Sequence, residues 1–135
     1  MKTELFPGAV HISGYGNTLF GVCLEVDSDQ HRALHYFSPG PRLIFNIVQL
    51  SEDPMNKHEQ HKRLDQIVAY GKRGQVVFHR LDESFLILNM FERDHAVRIA
   101  PSPKAKALGL FLDGLAEPFP LATRGARIQK SVGLY

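Results

Sequence analysis

One cysteine in 135 residues closes two routes at once. Cys23 has no second cysteine for an internal disulfide and cannot build a cysteine-based zinc site. Within the apolar run Phe20 to Leu24 it reads as a small buried hydrophobe. Long apolar runs are missing as well: none approaches a membrane span, and no signal-peptide-like region follows Met1. A cytoplasmic, reducing compartment is the expectation. Acid is missing from residues 122–135, which hold Arg124, Arg127 and Lys130 and no Asp or Glu. The net charge of +2 comes from that tail, because the rest carries 13 basic and 14 acidic residues. A near-neutral body lacks the concentrated basic face of a nucleic-acid binder, which leaves only the tail to contact phosphates.

Catalytic signatures are equally scarce. No serine sits in a strained elbow motif, and Cys23 falls within a strand-like run. Asp27 with Asp29 and Asp82 with Glu83 are acidic pairs in turn-like sequence, where such residues serve turn chemistry. Gly14-Tyr15-Gly16-Asn17 precedes a strand, whereas a dinucleotide loop follows one, so a hairpin or loop entry is expected. Seven histidines raise the question of metal. His58 and His61 share a helix face and His31 and His35 a strand face, yet the spacing of a zinc protease signature is absent. Surface histidines are the expectation, with no catalytic residue, metal or cofactor assigned.

What remains is pattern. Thr18–Val26, His31–Phe37 and Arg42–Leu50 read as three strands joined by short turns, an antiparallel meander. The third is apolar on both faces, which predicts a central position. A helix is expected from Pro54 to about Tyr70, capped by Asp53 and ended before Gly71. Its apolar stripe, Leu64, Ile67 and Val68, covers only its second half. Gln75–Arg80 and Ser84–Phe91 form a hairpin, Glu92-Arg93-Asp94 a turn, and His95–Ile99 a further short strand. Ser102 and Pro103 cap and open a closing helix to Glu117, with Leu108, Phe111, Leu112 and Leu115 at helical spacing. Residues 1–121 thus read as one α+β domain, an antiparallel sheet of about five strands packed by two helices (βββ-α-ββ-α), followed by a basic tail at 122–135.

This order of elements resembles the type III secretion chaperones of the Tir-chaperone family. Gly21–Asp27 is similar to their first strand, Leu43–Leu50 to their third, Gln75–Met90 to their late hairpin and Ala105–Leu115 to their last helix. The resemblance implies a non-enzymatic homodimer that holds an extended segment of a client protein, without nucleotide or metal. It implies Phe20, Phe37 and Phe45 as client-groove residues, and Leu64, Ile67, Val68, Phe85, Ile87 and Phe91 as dimer-interface residues. The alternatives are a nucleic-acid-associated or regulatory protein acting through Arg124, Arg127 and Lys130, and a metal protein or enzyme built on the histidines.

Overall fold

A computed structural model of the chain describes Gly8 and residues 12–28 and 33–121. Among these residues are seven strands: β1 Gly14–Asn17, β2 Gly21–Ser28, β3 Leu34–Tyr36, β4 Leu43–Val48, β5 Arg73–Leu81, β6 Leu86–Ile99 and β7 Gly114–Pro120. Two five-residue helices, α1 Lys57–His61 and α2 Pro103–Ala107, complete the set. The strands form one antiparallel sheet in the order β1-β2-β3-β7-β6-β5-β4. The expected meander is broken after β3. That strand pairs with β7, and β4 joins the far edge beside β5.

Laid flat, β1 and β4 would stand about 29 Å apart, six strand spacings. Instead, Tyr15 of β1 and Phe45 of β4 have ring centroids 6.3 Å apart. Phe20, in the β1–β2 turn, lies 5.4 Å from Phe45 and 4.9 Å from Phe78 of β5. The sheet therefore curls until its first hairpin packs across its last two strands. Irregularities in the β2–β3, β5–β6 and β6–β7 pairings supply the bends, since extra residues on one strand sharpen local twist. Tyr15, Phe20, Cys23, Tyr36, Leu43, Phe45, Ile47, Val76, Phe78, Ala96 and Leu115 fill the inside.

Both predicted long helices are corrected to single short ones. Asn56, not Asp53, caps α1, accepting the His58 N–H, and the helix stops at His61. With no apolar residue from Asn56 to Lys62, a longer helix would have had little to bury. The chain instead drives Arg63 into the sheet's outer layer and runs extended past β4, with an isolated bridge between Val48 and Ile67. The second helix starts as expected, Ser102 accepting the Ala105 N–H and Pro103 following. It ends at Ala107 because Gly109 takes a left-handed φ of 79° and the Leu110 N–H turns back to the Ala105 carbonyl. Leu108 and Phe111 are exposed, and Leu115 is buried in strand β7, so the helical spacing of that stripe was coincidental. Gly114 opens β7 because a β-carbon there would lie 2.4 Å from the Phe37 ring.

The expected turn at Glu92-Arg93-Asp94 is an interruption inside β6. Between the Gln75–His95 and Val77–Phe91 pairs, β6 carries two residues more than β5. β4 is an edge strand, although its apolar faces predicted a central one. Leu43, Phe45 and Ile47 face the core, and Val48 on the other face is covered by the segment after β4. Its edge is answered by the chain's own backbone. Val68 N–H donates to the Ile47 carbonyl, Gln49 N–H to the Gln66 carbonyl, and Leu43 N–H to the Gly40 carbonyl. No helix among the described residues is long and apolar enough to cross a membrane.

Candidate protein-binding surface

The β5–β6 hairpin extends apolar side chains to the outside of the curled sheet. Its turn is built on Asp82, which accepts the Ser84 and Phe85 N–H groups at 2.8 and 3.0 Å. The Arg80 guanidinium donates to the same carboxylate at 2.6 Å and lies 4.5 Å over the Phe85 ring. The Arg80 bond, joined by the backbone donors, holds the Asp82 carboxyl below its ordinary range. So braced, Leu81 stands opposite Leu86, and alternation puts Leu88 on that outer face. Leu81, Leu86 and Leu88 are 63, 70 and 60% exposed, and Ile44 on β4 is 40% exposed.

A polar group interrupts this face. Ile44 is paired with His79, whose ring is held from both sides. Asn89 N–H donates to His79 Nδ1 at 3.1 Å, and Nε2 lies 3.2 Å from the Asn46 side-chain amide. Asn89 has a φ of 55° at the single-residue bulge between the Phe78–Met90 and Arg80–Ile87 pairs. Partial burial pushes the His79 pKa below its ordinary value.

The client-groove residues expected from the resemblance, Phe20, Phe37 and Phe45, are buried inside the chain. Of the dimer-side residues, Phe85 is exposed at the hairpin tip and Ile67 beside β4. Val68 and Ile87 pack against the core, Leu64 is half-buried, and Phe91 lies 5.2 Å beneath the Arg63 guanidinium. The fold also separates the two groups. Ile67 bridges Val48, which pairs with Gln75, and β5 runs six residues from Gln75 to Leu81. Sequence reasoning missed Leu81, Leu86, Leu88 and Ile44. Their signal was the two-sided apolar pattern, which was read as a central place in the sheet and as a source of an apolar patch, without these residues being named. Arg124, Arg127, Lys130 and His31 lie outside the described residues, and His58 and His61 are exposed on α1.

Other polar clusters are internally satisfied. On the inner side, Tyr15 donates to Asp94 at 3.0 Å and Asn17 to Glu92 at 2.7 Å. Burial raises the Glu92 carboxyl and pushes the Tyr15 hydroxyl well above the phenol range. It also pushes the Cys23 thiol up to about 12, so the thiol stays protonated and inert at neutral pH. On the outer side, Arg73 donates to His95 Nδ1 at 2.8 Å, to the Glu117 carbonyl at 3.0 Å and to its carboxylate at 2.6 Å. These bonds restrain Glu117, held at a left-handed φ of 49° directly before Pro118. Among the described residues no group of three or more His, Cys, Asp or Glu side chains is placed to hold a metal ion. A cavity of about 230 Å³ opens between residues 38–41 and 109–112, lined mostly by apolar atoms. The Ser38 hydroxyl in its wall is already within reach of the Gly40 and Leu43 carbonyls. No family model matches the chain, and no curated protein is similar to it in sequence.

Proposed function

We propose that the chain is a non-enzymatic protein-binding module that pairs with a second copy of itself through the outer face of β4, β5 and β6. One observation carries the reading: Leu81, Leu86, Leu88 and Ile44 stand exposed together on a hairpin braced by Asp82 and Arg80. Apolar surface gathered in this way marks protein contact surfaces. Covering the exposed part of each leucine contributes roughly 1–2 kcal/mol, and a symmetric pair counts each one twice. That gross gain is of the order of the cost of association, about 4–15 kcal/mol, so a weak dimer is expected. A narrower form, a secretion-chaperone-like homodimer that holds an extended client segment, draws on the same face. With helices of five residues, its client would lie on sheet alone.

Concentration-dependent light scattering tests the pairing. The wild-type chain should pass from monomer to dimer as concentration rises. Leu86→Asp and Leu88→Asp should stay monomeric with an unchanged circular dichroism spectrum. A wild-type chain that stays monomeric at the highest soluble concentration sinks the reading, as does a dimer that survives both substitutions.

A further inference from the structure

We propose that His79 is a pH-operated latch, which holds the outer face in its binding shape while neutral and releases it on protonation. The argument starts from which ring nitrogen is open. Nδ1 accepts the Asn89 N–H at 3.1 Å, so it carries no proton. The ring proton therefore sits on Nε2, 3.2 Å from the Asn46 side-chain nitrogen, and an end-for-end turn of that amide brings its oxygen round to accept it. An added proton has only Nδ1 to occupy, and there it meets the Asn89 N–H, donor against donor. The bond lost is the one that holds Asn89 at its left-handed φ, and with it the single-residue bulge formed by Leu88 and Asn89.

Among the described residues, the strands flanking His79 offer no compensating carboxylate. β4 brings Ile44 and Asn46 to the ring, and β6 brings Leu88 and Asn89, none of them charged. The nearest charges on its own strand and turn, Arg80 and Asp82, are paired with each other. Arg42, two residues before Ile44, is a further cation and would oppose protonation. Burial disfavours the imidazolium in the same direction. A protonated ring would also place a charge in the middle of Ile44, Leu81, Leu86 and Leu88. This consequence for binding rests on the pairing reading; the latch itself does not.

The experiment is a pH titration of the full chain by nuclear magnetic resonance, with light scattering on the same samples. At neutral pH the ring nitrogens should show the Nε2–H tautomer. As His79 titrates, the Asn89 amide protection factor should fall by about tenfold, the equivalent of one backbone hydrogen bond. The dimer should dissociate over that same range. His79→Gln can still accept the Asn89 N–H and should keep both protection and dimer in acid, whereas His95→Gln should titrate like wild type. An Nδ1–H tautomer at neutral pH overturns the latch. So does Asn89 protection that ignores His79 titration, or a His79→Gln chain that responds to acid like wild type. A chain that is monomeric at every pH, with Asn89 still following His79, supports the latch and removes the pairing reading.

Discussion

Arg63 is a charged residue buried on the outer layer of the sheet and answered mainly by backbone oxygens. Its guanidinium donates to the carbonyls of Gln49, Pro54 and Glu59 and to the Gln75 side chain. Arg63→Ala takes the guanidinium from the Gln49 carbonyl and the Gln75 side-chain oxygen, while the Pro54 carbonyl keeps Gln60 and Gln75, and a loss of about 3 kcal/mol in chemical denaturation is expected. Arg63→Lys, without the planar fork, should recover less than half of it. Gly114→Ala drives a β-carbon into the Phe37 ring and toward the Tyr36 carbonyl, and should cost about 2–3 kcal/mol. The histidines set the acid limb of stability. His79 and His95 have folded pKa values below the ordinary 6.5, so the unfolded chain binds protons more readily. Their contribution is complete above about pH 6.5 and shrinks as pH falls from there toward the folded values. Glu92, with a raised pKa, acts in the opposite sense, stabilising as pH falls toward its unfolded value near 4.5. Denaturation midpoints measured from pH 7.5 to 5.5 should therefore decline, and His79→Gln with His95→Gln should flatten the slope. The cap at Ser102, the helix-opening Pro103 and the burial of Cys23 could be read from sequence. The place of Arg63 could not, because nothing local distinguishes a solvated arginine from one that follows its chain onto a sheet.

At the scale of elements, strands were more legible than helices. Alternation located β2, since the two-residue period is imposed wherever one face is buried, and apolar runs bounded by turn sequence located β4, β5 and the first half of β6. The helices failed for a local and a distant reason. The Asn56–Lys62 stretch offered no apolar stripe, so the expectation of a helix to Tyr70 rested on its end signals and on Leu64, Ile67 and Val68 in its second half. In the closing segment four apolar residues matched a helical face, but Gly109 and Gly114 outweighed them. One reverses the chain, and the other lets a strand pass Phe37. The exposed apolar face was half legible, because two-sided apolarity was visible while the end of the hairpin's cover was not. Leu86→Asp and Leu88→Asp belong to this scale. Both residues are exposed, so monomer stability should change by no more than about 0.5 kcal/mol while the dimer is lost. Denaturation at a concentration too low for pairing separates the two effects.

For the whole molecule, the curl is the decisive feature, and Phe20 is its fastener. It packs on Tyr15 from its own hairpin and on Phe45 and Phe78 from the opposite wall. Phe20→Ala should cost about 3–5 kcal/mol and loosen β1–β2 ahead of the rest, seen as early hydrogen exchange in that hairpin. No period in the sequence could announce such a closure, because it joins strands at opposite ends of the sheet order. The backbone bonds that occupy the rim of β4 have a consequence for assembly. A sheet whose last strand is open can recruit another copy rim to rim, and each addition exposes the next rim, the route to filaments. Gly40 and residues 66–68 occupy part of that rim and hinder such addition, which leaves the face of β4, β5 and β6 as the surface of the proposed pairing. If two copies pair on this face about a two-fold axis, as proposed, each covers the other's patch, and association is a closed reaction that ends at the pair.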